Sequence, residues 1–348
     1  MWPMPLLSRR QEIDVLARSS IIRHPSGTTV RTPLLVPSFS SKGFGHAPGG
    51  SSGVAHIWAI AQEYLTDCML LSAYDIFHKN IEQPQSAVAE LTIVDSGGYE
   101  TSPTHDLSTV YLDPVDDADW PLDSVVSVYD KWPDHIPAVF VSHDHYKMRH
   151  SFSGQVARAR DLFAKYPSHL HCLLVKPETK AQEFIQTDSV RTAAGALSAF
   201  DIIGVTEKEL GNSVLTRMQA IAAIRLALDD VDVRVPIHVF GSLDPLTTLL
   251  YFLSGAEVFD GLTWLRFGFD AGVAIYSQNF GTLKVGIDRR DDHVKAVMMR
   301  GNLGYLVDLR NQMLKFLNSG DFSHFGPAAA SVRAGFELLQ THNRRVVI

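Results

Sequence analysis

The chain has 348 residues, a length that suits one large α/β barrel. Hydrophobic residues make up 45% of it and charged residues 20%, which is ordinary globular composition and enough for a sizeable core. The 31 basic and 38 acidic residues give a net charge of −7, which argues against a surface that is basic all round. A nucleic-acid partner would therefore need a local basic face.

Short apolar runs alternate along the chain with longer amphipathic stretches, a pattern typical of repeated β–α units. About eight strands are expected, which is the number that closes a parallel barrel. They are predicted at residues 34–37, 68–72, 91–95, 138–143, 171–176, 201–205, 237–241 and 257–262. The predicted fold is a single α/β domain over residues 1–348, a (β/α)8 TIM-like barrel.

Helices are predicted at residues 212–230, 244–254 and 302–318. A Ser-Gly pair, a frequent helix stop, stands at the end of each of the last two, at residues 254–255 and 319–320. Residues 40–53 are rich in Gly, Ser and Pro, which indicates a loop at the upper end of the barrel. Residues 266–300 are predicted to be an insertion after the eighth strand, and residues 302–348 to form C-terminal helices.

The predicted insertion contains a basic cluster with interleaved aspartates. A solvated surface and a phosphate-contacting face are equally good interpretations of this pattern. The basic residues are Lys284, Arg289, Arg290, Lys295 and Arg300, and the acidic ones are Asp288, Asp291 and Asp292.

Two cysteines, Cys68 and Cys172, lie inside apolar runs, where buried structural thiols are the favoured interpretation. The amino terminus lacks an apolar core followed by a small-residue cleavage site, and no apolar run is long enough to span a bilayer. We therefore expect a soluble cytoplasmic protein with no membrane partner.

Carboxylates stand at several predicted strand ends, where a parallel barrel places its chemistry. Asp95, Asp144 and Asp260 are the candidates. A lone aspartate there is more often a helix cap. Asp95, however, is followed by Ser-Gly-Gly, whose backbone N–H groups can approach a ligand, and by Tyr99, either a core aromatic or a platform for a flat ligand. Paired carboxylates at one barrel end suit glycosidic chemistry.

Two motifs resemble those of the tRNA-guanine transglycosylase family. Residues 95–99, Asp-Ser-Gly-Gly-Tyr, resemble its Asp-Ser-Gly-Gly-Tyr/Phe motif, and residues 255–260, Gly-Ala-Glu-Val-Phe-Asp, resemble its Gly-x-Asp-x-Phe-Asp segment. Thr32-Pro33 and the stretch at 320–325 are similar to the family's first strand and its carboxyl-terminal ending. The resemblance spans most of the chain in the family's order.

The resemblance implies that guanine in a nucleic acid is exchanged for a 7-deazaguanine base, with the target nucleotide taken out of its stack. Asp260 would attack the ribose C1′, and Asp95 would act as general acid and base. Asp144 would read the Watson–Crick edge of the base, and Tyr99 and Phe240 would sandwich it. Further base contacts are implied for Ser96, Gly97, Gly98, Gly241 and Lys176. Nucleic-acid contacts are predicted for Arg266, Lys284, Arg289 and Arg290.

The chain departs from the family pattern at several positions. The family's structural zinc site of three cysteines and one histidine is missing, so no metal or cofactor is expected. Lys176 and Glu100 stand where the family has glutamines, and no RNA-binding domain of the archaeal kind is expected. These departures favour DNA slightly over tRNA as the substrate. A homodimer and an auxiliary protein that opens DNA both stay open as partners.

Two other classes compete with this prediction. The His143-x-His145 pair together with Asp260 resembles the metal sites of barrel amidohydrolases, but those enzymes place their histidine pair on the first strand. A non-catalytic binding subunit is the second alternative, and the presence of both Asp95 and Asp260 argues against it.

Overall fold

The computed structural model of the chain describes residues 15–42, 53–65, 67–103, 105–109, 119–144 and 147–346. Eight parallel strands close into one barrel with helices around it, as predicted. The last barrel strand pairs with the first, with Val258 opposite Leu34. The barrel strands are β3 (Leu34–Phe39), β4 (Cys68–Ser72), β5 (Leu91–Asp95), β6 (Ala138–Val141), β7 (Leu170–Val175), β8 (Ile202–Thr206), β9 (Ile237–Phe240) and β10 (Val258–Gly261).

A hairpin that the sequence analysis missed precedes the barrel. Strands β1 (Ile21–Arg23) and β2 (Thr29–Arg31) pair antiparallel. Ile22 and Val30 from this hairpin join the apolar cluster inside the barrel. The hairpin therefore closes the amino-terminal end of the barrel, opposite the strand ends that carry the predicted site.

The helices occupy the connections between strands and the end of the chain. Local sequence sets several boundaries: Ser213 and Thr216 cap the seventh helix reciprocally, and Asp244 accepts hydrogen bonds from two backbone N–H groups at the start of the eighth. The helices are α1 (Gly53–Ala61), α2 (Ala73–Phe77), α3 (Gly98–Thr101), α4 (Leu122–Tyr129), α5 (Phe152–Phe163), α6 (Thr187–Thr192), α7 (Val214–Asp230), α8 (Pro245–Leu253), α9 (Thr263–Arg266), α10 (Ser277–Phe280), α11 (Asp291–Ser319) and α12 (Ala329–Val346).

The predicted insertion is shorter than expected. It holds a hairpin of β11 (Phe267–Asp270) and β12 (Val273–Tyr276), then α10 and one turn of π-helix. Helix α11 begins at Asp291, so residues 291–300 belong to the helix rather than to the insertion. Two aspartates in the first turn favour this start, and Gly320 at φ 69° ends the helix where Ser-Gly was expected to.

Side chains of the barrel strands alternate between two apolar layers. Leu34 and Val36 of β3 and Leu91 and Ile93 of β5 fill the barrel interior. The residues between them pack outward under the helices, as Val94 does. The next inward positions, at the carboxyl ends of the strands, are polar. Period-two alternation therefore brings these polar side chains to one mouth of the barrel.

Across the part of the chain that the structure describes, no helix combines the length and the apolar character that a membrane span requires.

Candidate active site

A cavity of about 440 Å³ opens at the carboxyl ends of the barrel strands. It brings together both predicted catalytic carboxylates and most of the predicted base-contacting residues. Its lining includes Asp95, Ser96, Gly98, Tyr99, Asp144, Lys176, Phe240, Gly241 and Asp260. The volume suits a small, flat ligand held between apolar and polar walls.

Asp260, at the inward face of β10, is 5% exposed and accepts hydrogen bonds on both carboxylate oxygens. The Ser38 hydroxyl donates to Oδ2 over 2.6 Å, and the His238 ring nitrogen Nε2 lies 2.9 Å from Oδ1. Both contacts suit an ionised carboxylate, which only accepts hydrogen bonds. The plane of the Asp260 carboxylate is thereby fixed at the edge of the cavity.

Asp95, at the end of β5, has different surroundings. Its carboxylate accepts a hydrogen bond of 3.0 Å from the backbone N–H of Gly97. Burial and the neighbouring Glu100 raise the pKa of Asp95 to about 7, and Asp260 adds to the effect. Gly97 has φ +86°, and a Cβ there would lie 2.7 Å from the Cβ of Tyr74, so this turn requires glycine.

Glu100 places a third carboxyl group against the cavity. The Ser40 hydroxyl donates a hydrogen bond to it. Burial, together with the fully buried Asp75 behind it, raises the pKa of Glu100 to about 7. Asp75 itself accepts hydrogen bonds from the Ser41 N–H over 2.8 Å and from the Asn80 side chain over 3.0 Å. The Asp95 side of the cavity therefore retains protons close to neutral pH.

Four charged side chains form an ionic ring on the far wall of the cavity. The Lys176 ammonium lies 3.0 Å from both Asp144 and Glu209, and the Arg149 guanidinium lies 3.2 Å from Asp144 and 3.3 Å from Glu209. Burial disfavours the charge on Asp144, but Lys176 and Arg149 outweigh it and lower its pKa. Asp144 is thus held ionised as a hydrogen-bond acceptor.

Phe240 gives the cavity a flat aromatic wall. Its ring stacks on the His238 ring, with centroids 3.8 Å apart and planes 27° apart. A Cβ on Gly204 would come within 2.6 Å of the Phe240 ring, so the glycine on β8 makes room for it. The Tyr99 ring also lines the cavity, with the Lys42 ammonium 4.3 Å from its centroid. Two aromatic walls are present, and the base sandwich stays a prediction.

Arg266 lies behind the cavity lining, where its guanidinium is paired with other side chains of the protein. Its guanidinium contacts Asp106 over 2.7 Å and the Ser108 hydroxyl over 2.6 Å, and it lies 3.4 Å from the Tyr99 hydroxyl. In this arrangement the guanidinium braces Tyr99. A contact with a nucleic-acid backbone, as predicted for Arg266, would require exchange of these partners.

Three predicted nucleic-acid contacts lie away from the cavity lining. Each of these basic side chains is close to an aspartate: Lys284 to Asp270 at 2.8 Å, Arg289 to Asp288 at 3.6 Å and Arg290 to Asp292 at 2.7 Å. This geometry is that of a mixed-charge solvated surface, which was one of the two open interpretations. Their contact with a nucleic acid stays a prediction.

The thiols do not fit the zinc site that the family resemblance would imply. Cys68 and Cys172 are buried on separate strands of the barrel, and burial raises the pKa of both thiols above the usual range. Zinc requires thiolates and four converging ligands. Among the described residues, no group of three or more His, Cys, Asp and Glu side chains could hold a metal ion, and His145 lies outside those residues.

Several residues around the site were not predicted from the sequence. Ser38 and His238, which hold Asp260, lie at inward positions of β3 and β9, where the period of two would have pointed to them. Arg149 lies in the loop after β6, and Glu209 lies in a short 3₁₀-helix (Glu207–Glu209) after β8; no periodic signal identifies either residue as inward-facing. Part of the loop predicted at 40–53 lies outside the described residues.

No protein-family model matches the chain, and no curated protein matches it with significant similarity.

Proposed function

We propose that this protein is a base-exchange transglycosylase that replaces guanine in a nucleic acid with a 7-deazaguanine derivative; DNA is slightly favoured as the substrate, and tRNA is the alternative. The observation that supports the proposal most is one cavity that contains two aspartates with opposite surroundings. Asp260 accepts a hydrogen bond on each oxygen, whereas the pKa of Asp95 is raised to about 7. Two carboxyl groups set apart by their environment suit a nucleophile and a proton carrier.

In the first half of the proposed reaction, an Asp260 carboxylate oxygen attacks C1′ of the target ribose as the bond from C1′ to the guanine nitrogen breaks. The electron pair of that bond leaves with guanine, and protonated Asp95 neutralises it by giving up its proton. The product is free guanine and an ester between Asp260 and C1′.

In the second half, the incoming 7-deazaguanine gives its N–H proton to Asp95 while its nitrogen attacks C1′. The bond from C1′ to Asp260 breaks, and its electron pair restores the carboxylate. Asp95 ends protonated, as it began, so protons and electrons balance over the cycle. A carboxyl group with a pKa of about 7 can donate and accept a proton at neutral pH.

Base selection falls to the ionic ring and the aromatic walls. Ionised Asp144 accepts hydrogen bonds, and the Watson–Crick edge of guanine offers an N–H and an amino group to such an acceptor. A 7-deazaguanine carries the same edge, so one acceptor serves both bases. Phe240 supplies a face for stacking.

Radiolabelled guanine exchange into duplex DNA and into tRNA, measured side by side, tests the proposal. We expect label to enter DNA, with a denaturation-resistant protein–nucleic-acid adduct in the wild-type protein. Label in tRNA alone would replace DNA by tRNA as the substrate. Label and adduct in neither polymer, with and without a strand-opening protein for the DNA arm, would overturn base exchange.

A further inference from the structure

The only hydrogen-bond partner of the His238 side chain among the described residues is Asp260, the proposed nucleophile. It lies on β9 with its backbone between β8 and β10, opposite Gly204 and Val258. Its side chain is fully buried, and its Nε2 lies 2.9 Å from Oδ1 of Asp260. The other ring nitrogen, Nδ1, has no hydrogen-bond partner among the described residues. The polar function of this ring is therefore directed at Asp260.

The contact fixes the tautomer of the ring. An ionised carboxylate can only accept a hydrogen bond, so His238 donates through Nε2–H. The Ser38 hydroxyl holds the second oxygen over 2.6 Å. Two donors from two different strands leave the carboxylate little freedom to rotate, whereas one donor would let it swing about its Cβ–Cγ bond.

The ring also connects Asp260 to the base-binding wall. His238 stacks on Phe240 with a centroid separation of 3.8 Å, and Phe240 lines the cavity where His238 does not. The ring lies behind the lining and touches the carboxylate on one side and the aromatic wall on the other. Its position suits a residue that sets the angle between the stacked base and the attacking oxygen.

We propose that His238 is a positioning residue for base exchange, which holds the Asp260 carboxylate in the attacking orientation and stabilises the negative charge that returns to it. This inference rests on the proposed function. His238 acts through Asp260 and Phe240 and does not touch the substrate. In the second half of the reaction, the Nε2–H group donates to the oxygen that regains charge when the ester to C1′ breaks.

The test compares His238→Leu, which removes the donor, with His238→Gln, which keeps an N–H donor of similar reach. We expect His238→Leu to lower kcat for exchange about 100-fold, with KM changed less than about threefold, because orientation and charge stabilisation act in the transition state. Adduct formation slows by the same factor. His238→Gln should exchange at least about tenfold faster than His238→Leu.

The matched control is His169→Leu, which replaces another buried histidine, at the opposite end of the barrel before β7. It should lower Tm and leave kcat unchanged. The inference is overturned by folded His238→Leu with the wild-type kcat, or by a His238→Gln variant as slow as His238→Leu. If His238→Leu does not fold, His238→Asn takes its place, because its shorter amide falls short of Asp260 and should exchange more slowly than His238→Gln. An inactive wild-type protein overturns the proposed function instead.

Discussion

The two carboxylates of the cavity are built in opposite ways. Asp260 lies between two side-chain donors, Ser38 and His238, that come from separate strands. Asp95 has one backbone donor, Gly97, and a neighbouring carboxyl group, Glu100, whose charge opposes ionisation. Hydrogen-bond donors fix an ionised carboxylate, whereas burial beside a second acid retains a proton. The same end of the barrel thus holds one carboxylate fixed by two donors and one carboxyl group that keeps its proton up to about pH 7.

The largest effect should come from Asp260→Asn. The amide cannot form the ester to C1′, so exchange should fall about 10⁴-fold or more and the denaturation-resistant adduct should disappear. Label exchange and denaturing gels measure both quantities. The amide keeps the shape of the side chain, and Tm reports whether the barrel is intact. Adduct formation by a folded Asp260→Asn protein would show that another residue is the nucleophile.

Asp95→Asn should be the next most damaging change. The amide removes the proton that the leaving base needs, so exchange should fall about 10²- to 10⁴-fold, and the remaining rate should lose its dependence on a group with a pKa near 7. Rates measured from pH 5 to pH 9 check this. Glu183→Gln, an exposed carboxyl group on the same cavity, is the matched control and should keep the wild-type profile. A pH–rate profile of Asp95→Asn that matches the wild type would show that Asp95 does not transfer the proton.

The barrel and the carboxylate pair follow from sequence, because local rules determine them. Apolar runs of strand length define all eight strands, and Asp95 and Asp260 are the inward-facing ends of two of them. Only two of the four residues in the ionic ring were predicted from the sequence. Lys176 and Asp144 follow strands and were predicted, whereas Arg149 and Glu209 reach them from connecting segments whose course depends on tertiary packing. Sequence periodicity says nothing about which loop side chain folds inward.

The start of α11 was predicted wrongly: the insertion was expected to run to residue 300, but the helix begins at Asp291. The apolar face of this helix includes Val294 and Met298, but charged residues surround them, so residues 266–300 were all assigned to the insertion. Helix α11 packs against β11, where the Asn302 side chain accepts a hydrogen bond of 2.8 Å from the Phe269 N–H. Tertiary packing of this kind stabilises a helix whose local composition is weakly helical.

Lys176→Met extends the comparison to Asp144, the third of the aspartates predicted at the strand ends. Without the ammonium, Asp144 and Glu209 keep Arg149 as their shared salt-bridge partner, and the pKa of Asp144 should rise because Lys176 is the main group that lowers it. The KM for the base should increase about tenfold, with a smaller change in kcat, and the free energy of unfolding should fall by roughly 3 kcal/mol. Base titration and denaturant unfolding measure these. The control Lys165→Met, at an exposed lysine after α5, should change neither KM nor the free energy of unfolding. An unchanged KM for Lys176→Met would show that the ionic ring does not contribute to base binding.

The smallest effect is expected from Glu100→Gln, which tests why Asp95 holds its proton. Removing the neighbouring acid should lower the pKa of Asp95, so the alkaline limb of the exchange rate should move to lower pH. Stability gives a second readout. Because the pKa of Glu100 is raised from 4.5 to about 7 on folding, the folded chain binds more protons, and Glu100 makes stability fall as pH rises across that range.

Glu100→Gln should therefore reduce the decrease in Tm between pH 4.5 and pH 7, whatever nucleic acid the protein acts on. Thermal unfolding at a series of pH values measures this, with Glu183→Gln as the exposed control whose curve should match the wild type. If Tm becomes flatter but the rate profile stays in place, Glu100 holds its own proton without acting on Asp95. Burial alone would then explain the raised pKa of Asp95. The difference between Asp95 and Asp260 would come from the two side-chain donors to Asp260 rather than from Glu100.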